Sequence, residues 1–114
     1  MEAKKAEFFI IIGEEPDKVK GVVFNHKGRL LGINSDEKPI PFWLLVDIKT
    51  GLVVNLCFYN PLDSENEKSV DELLDDFDNT DRINAYKDLR ARNAEKIKAA
   101  YEANPDVKRQ VFGE

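Results

Sequence analysis

Cysteine, histidine, tryptophan and methionine each occur once in 114 residues, and that scarcity removes whole classes of chemistry. A lone cysteine forms no intramolecular disulfide, which fits a reducing compartment. His26 and Cys57 have no second histidine or cysteine to complete a transition-metal constellation. Cys57 also lacks a basic neighbour that would hold a thiolate, so a small buried hydrophobe is its expected role. His26 falls in a predicted turn and is expected to be solvated. Long apolar runs are missing too: nothing approaches the roughly 20 residues of a membrane span. Phe8 to Ile12 is too short for a signal-peptide core and acids follow it immediately, so it reads as a strand and the default compartment is the cytoplasm.

Gly13, Gly21, Gly28, Gly32 and Gly51 are scattered over turns and strands instead of gathering before a helix, so no phosphate-binding loop is expected. A calcium loop counted from Asp76 finds Asp78 and Thr80 at positions 3 and 5. It has Asp81 where glycine is needed and Lys87 where the closing glutamate should stand; a count from Asp63 fails in the same places. No catalytic residue, cofactor or metal ligand is therefore assigned. Arg82, Lys87, Arg90, Arg92, Lys96 and Lys98 scatter around one predicted helix, and a net charge of −5 opposes phosphate, so nucleic acid is not an expected partner.

What is present is a hairpin at residues 41–61, PFWLLVDIKTGLVVNLCFYNP. A three-residue loop of Lys49, Thr50 and Gly51 pairs Ile48 with Leu52, Val46 with Val54, Leu44 with Leu56 and Phe42 with Phe58. All eight then share one apolar face. A two-residue turn would mix polar and apolar groups on both faces, so the longer loop is the expectation. The other face carries Trp43, Leu45, Asp47, Val53, Asn55, Cys57 and Tyr59. Strands are also expected at residues 7–13, 18–25 and 29–34, the last two joined by Asn25-His26-Lys27-Gly28 with Asn25 opposite Arg29. That stretch, GVVFNHKGRLLGI, resembles a strand pair of PAS-type sensors or Nudix hydrolases over a dozen residues. The glutamate-rich box of the latter is missing, and no family is assigned.

Beyond Pro61, Ser69 and Glu72 form a capping box, and Val70, Leu73, Leu74 and Phe77 make one apolar helical stripe. A second helix over residues 81–103 buries Ile83, Tyr86, Leu89, Ala94, Ile97 and Tyr101, with acids at its start and lysines towards its end to suit the helix dipole. Arg90 projects into that stripe, either snorkelling outward or pairing with Asp47. A short helix spans residues 105–112. The expected fold is one α+β domain over residues 1–114: about five mostly antiparallel strands (residues 7–60) in a meander, then two to three helices (within 63–114) packed on one face.

Charge is segmented along the chain. Residues 63–81 hold nine acids against Lys68 alone, while residues 82–110 hold eight bases against four acids. Clustered charge of one sign steers association with the opposite sign. The expected function is therefore a non-enzymatic inhibitor or toxin-immunity-type protein for a basic effector such as a nuclease. Its contact residues would be Asp63, Glu65, Glu67, Asp71, Glu72, Asp75, Asp76, Asp78 and Asp81, joined by Trp43 and Tyr59. The alternatives are a small-molecule-binding or sensory module lined by Trp43, Tyr59, Tyr86 and Arg90, or a homodimeric interaction domain burying the mixed hairpin face.

Overall fold

A computed structural model describes residues 3–36, 42–57, 60, 70–79 and 84–113. It shows an α+β fold in which one antiparallel sheet, ordered β1-β2-β3-β4-β5, precedes three helices. The strands are β1 (Ala3–Ile10), β2 (Asp17–His26), β3 (Arg29–Asp36), β4 (Phe42–Asp47) and β5 (Val53–Cys57). The helices are α1 (Val70–Asn79), α2 (Asn84–Ala103) and α3 (Pro105–Phe112). No helix among the described residues is long and apolar enough to cross a membrane.

The β4–β5 hairpin keeps the expected register in its outer half, where Trp43 pairs with Cys57, Leu44 with Leu56 and Leu45 with Asn55. Nearer the turn a bulge moves the pairing by one, and Val46 faces Val53 instead of Val54. The cause lies in the loop. Asp47 N–H donates to the Leu52 carbonyl at 2.9 Å and Gly51 N–H to the Asp47 carbonyl at 2.7 Å, so the loop holds four residues, 48–51, and Ile48 does not pair with Leu52. Gly51 adopts φ 69°, the left-handed conformation expected of it.

The β2–β3 hairpin departs further. His26 pairs with Arg29 and Phe24 with Leu31, leaving a two-residue turn of Lys27 (φ 52°) and Gly28 (φ 87°). Two consecutive positive φ values match the right-handed strand twist better than the expected three-residue loop, and Asn25 Oδ1 closes the turn by accepting from Gly28 N–H at 2.9 Å.

The sheet coils strongly. Ile11, just past β1, donates its N–H to the Gly51 carbonyl at 2.7 Å, although β1 and the β4–β5 turn belong to opposite parts of the strand order. Coiling brings the Phe8 ring over β3, where a Cβ on Gly32 would stand 2.9 Å from two of its carbons and 3.0 Å from Ile48 Cδ1. Phe8, Ile10, Val23, Val46 and Ile48 form one core with Ile97 and Tyr101 of α2 and Val107 and Val111 of α3. Phe24, Leu31, Ile33, Leu45 and Cys57 form a second core with Val70, Leu73 and Leu74 of α1. Paired and alternate residues assign these sets to opposite sides of β2, β3 and β4, so the helices divide between the two faces instead of sharing one. The reason is in the strands: both faces are apolar, and each needs cover. The apolar hairpin face is covered by α2 and α3 at Val46 and Ile48 but not at Leu56, which is 47% exposed, and the other face is buried too, at Leu45, Asp47 and Cys57. Phe58 lies outside the described residues.

The two ends of the sheet are finished differently. Along β1, Glu7 N–H donates to Gln110 Oε1 at 2.9 Å and Phe9 N–H to the Tyr101 hydroxyl at 3.1 Å, so side chains of α2 and α3 cap that edge. Burial pushes the Tyr101 phenol up to about 12.

Gly32→Ala is expected to cost about 1–3 kcal/mol, because a methyl must displace a fully buried ring. Gly13→Ala, with no atom within 4 Å of the new methyl, should stay within about 0.5 kcal/mol of the parent. Urea unfolding of the two variants checks the difference; equal midpoints would refute the close approach of Phe8 to β3.

Candidate functional site

α1 is the meeting point of the charged residues. Its apolar stripe, Val70, Leu73, Leu74 and Phe77, is buried as the spacing implied. At about 100° per residue Asp71 and Asp78 share one flank, while Glu72, Asp75 and Asp76 lie opposite the stripe. The shared flank turns towards the β2–β3 hairpin, and both of its carboxylates are engaged there.

Asp71 takes His26 Nε2 on Oδ1 at 2.8 Å and Lys27 Nζ on Oδ2 at 2.7 Å. His26 is therefore not solvated; its side chain is mostly covered, because the tight turn points it at α1. The Lys27 ammonium, with the His26 ring second, holds the Asp71 carboxyl below the usual carboxylate range. At the other end of α1, Asp78 takes Arg29 Nη1 on both oxygens, at 2.9 and 3.2 Å, with Arg90 Nη2 at 3.5 Å. A carboxylate in the last turn opposes the helix dipole, and α1 has no base of its own there. Arg29 from β3 and Arg90 from α2 supply the missing positive charge. Both guanidiniums also lie over the Phe77 ring, at 5.8 and 4.6 Å from its centroid.

Arg29 reaches inward as well. Its Nε stands 3.5 Å from Oδ1 of Asp47, which is only 4% exposed, and Asp47 Oδ2 accepts from the Thr50 hydroxyl at 2.7 Å. Of the two readings for Arg90, pairing with Asp47 is not realised: Arg29 takes that place, and Arg90 reaches Asp78 and the Phe77 ring. Burial works to lower the Arg29 pKa, and the carboxylates of Asp78 and Asp47 outweigh it, so the net shift is upward.

Of the proposed contact residues, Glu72, Asp75 and Asp76 are exposed on α1, Asp71 and Asp78 form its clamped flank, and Trp43 is half-buried beside the α1-side core. Asp63, Glu65, Glu67, Asp81 and Tyr59 lie outside the described residues, as do Ser69 of the capping box and the side chain of Tyr86. Asp81, the acid expected at the start of the second helix, lies outside the described residues; the first turn of α2 as described carries no acid and its last turn no base. Leu89, expected in the core, is exposed, and Asn93 takes a buried place on α2 that apolar periodicity had no means of finding. Cys57 is buried, and burial pushes its thiol pKa up. Among the described residues, no group of three or more His, Cys, Asp or Glu is arranged to hold a metal. A groove of about 680 Å³ lies between α2, α3 and the β4–β5 turn, walled by Ile97, Tyr101 and Phe112 and rimmed by Lys49, Lys98 and Lys108. No family model, curated protein or solved structure matches the chain.

Two outcomes test the clamp. Arg29→Met leaves Asp47 buried beside Thr50 without its cation and should cost about 2–4 kcal/mol, below the full value for a buried pair because Arg29 is 27% exposed; Asp47→Asn in the same chain should recover part of the loss in a double-mutant cycle. Asp71→Asn should lower the melting temperature near pH 6. A depressed folded pKa contributes stability above the ordinary carboxylate value, about 3.9, and that contribution disappears as pH falls through the lower folded value. The parent and Asp71→Asn melting temperatures should therefore converge as the pH falls below the ordinary carboxylate range and the Asp71 side chain becomes uncharged; a constant gap would exclude the ion pairs as its source.

Proposed function

We propose that the chain is a non-enzymatic binding protein of the inhibitor or immunity type, acting in the cytoplasm, and that it docks a basic protein effector such as a nuclease on the outer surface of α1. The observation that supports this reading is the division of labour on that helix. Asp71 and Asp78 are taken up by the β2–β3 hairpin and Arg90, which anchors α1 at both ends, while Glu72, Asp75 and Asp76 remain together on the solvent side. A helix anchored by four apolar side chains and two ion-paired ends presents its outer carboxylates with little conformational freedom left to lose on binding. Clustered negative charge on a fixed element raises the association rate for a basic surface and repels acidic ones. Trp43 on the adjoining strand pair could add an aromatic anchor at the margin of the contact.

The triple variant Glu72→Gln, Asp75→Asn, Asp76→Asn keeps the buried stripe together with Asp71 and Asp78, and its melting temperature, measured alongside binding, separates a loss of surface charge from a loss of fold. Titrated against a panel of purified basic nucleases, the parent should inhibit at least one with an affinity that falls steeply with salt. The variant should bind at least about tenfold more weakly at low salt and show a shallower salt dependence. Unchanged affinity and slope in the variant, or no binding by the parent across the panel, would refute the acidic docking surface.

A further inference from the structure

We propose that the outer edge of β5 receives an extended, lysine- or arginine-bearing segment of the partner as a sixth strand, a mode that rests on the acidic docking surface described above. β5 ends the strand order, and among the described residues no group outside β4 hydrogen-bonds to the backbone of residues 53–57. Its sequence, Val53-Val54-Asn55-Leu56-Cys57, has no charge, proline or glycine. Those are the devices by which sheet edges ordinarily refuse a further strand. The contrast with β1 is internal to the molecule. β1 carries Lys4, Lys5 and Glu7, and two of its N–H groups, those of Glu7 and Phe9, are occupied by Gln110 and Tyr101. β5 has only a bulge, confined to its first residues, and beyond it Leu56 stands 47% exposed as a ready apolar contact for an incoming strand.

A row of backbone donors and acceptors selects a strand but not its sequence, and charge selects the occupant. α1 packs directly against β5, with Cys57 in the core formed by Val70, Leu73 and Leu74, and carries Glu72, Asp75 and Asp76 on its exposed surface. A basic strand added to β5 would join the sheet next to the strand on which this acidic helix packs. A second copy is the less favoured occupant, because pairing β5 with β5 brings together two chains of net charge −5 with an acidic helix beside each edge.

The probe is a nine-residue peptide of alternating lysine and valine, blocked at both ends. Two controls accompany it: the same peptide N-methylated at every valine, which keeps the charge and loses alternate backbone donors, and a glutamate–valine analogue. Hydrogen exchange of the Val53–Cys57 amides and fluorescence titration are the readouts. The lysine peptide should slow exchange of the outward β5 amides at least tenfold, N-methylation should weaken binding at least tenfold, and the glutamate peptide should not bind. If the lysine and N-methylated peptides bind alike and β5 exchange is unchanged, strand addition is overturned while the acidic surface stands. If the peptide fails to bind although a basic nuclease binds, strand addition is again overturned. Protection of β5 that rises with protein concentration and needs no peptide would make a second copy the occupant and overturn the proposal. Loss of both peptide and nuclease binding removes the docking surface and this inference together.

Discussion

Asp47 brings a carboxylate into the interior, and the groups that compensate it set the geometry of everything nearby. An ionised side chain moved out of water costs several kcal/mol unless charge and hydrogen bonds replace its hydration. Here Arg29 and Thr50 serve the two carboxylate oxygens, while the backbone N–H and carbonyl of the same residue bond Leu52 and Gly51. Four interactions on one residue close the loop at 48–51. That loop is buried, unusual for a turn, and its own polar groups are answered from elsewhere: Ile48 N–H by the Leu30 carbonyl at 3.2 Å, the Gly51 carbonyl by Ile11 N–H. The end of β1, the start of β3 and the β4–β5 turn are thus tied at one place, with Ile97 of α2 packed on Gly51. Arg29 extends the same network outward to Asp78, so the buried turn and α1 are positioned by one guanidinium.

How much of this was legible depends on whether one face or two had to be buried. α1 has a single apolar stripe, and its spacing identified all four buried residues, Val70, Leu73, Leu74 and Phe77, because any rotation would expose them. The strands behave differently. β2, β3 and β4 are apolar on both sides, so a one-residue slip changes which core a side chain joins without stranding it in water, and alternation loses its power to fix register. The β2–β3 hairpin was misplaced by one residue for that reason. The deciding information was local: Lys27 and Gly28 accept positive φ under the Asn25 side chain. In the β4–β5 hairpin the outer pairs were readable and the bulge was not, since it follows from hydrogen bonds made by Asp47, a polar residue that hydrophobic periodicity ignores.

Charge was legible as a tally and misleading as a map. The sequence separates an acidic block from a basic one, which suggests a bare acidic surface. In the folded chain bases from both sides of the acidic block close on it: His26, Lys27 and Arg29 from the β2–β3 hairpin and Arg90 from the basic block together engage Asp71 and Asp78. Part of the acidity is therefore spent on holding α1 in place. An exposed ion pair is individually worth at most about 1 kcal/mol, yet two arginines sharing one carboxylate and one aromatic ring act as a unit. They also correct an unfavourable dipole, since Asp78 sits at the negative end of α1. Glu72, Asp75 and Asp76 are exposed on the remaining surface of α1.

The same economy separates the edges of the sheet. A strand edge left open is a hazard, because any extended segment can complete its backbone hydrogen bonds. β1 meets that hazard with three charges and two capping side chains drawn from helices almost a hundred residues away in sequence. Among the described residues β5 carries none of these, although Leu56 is already 47% exposed and could give way to lysine. The difference between the edges cannot come from a general constraint on solubility, which would act on both. Under the proposed strand addition the difference follows from α1, which packs against β5 and whose carboxylates would favour a basic strand over an acidic one.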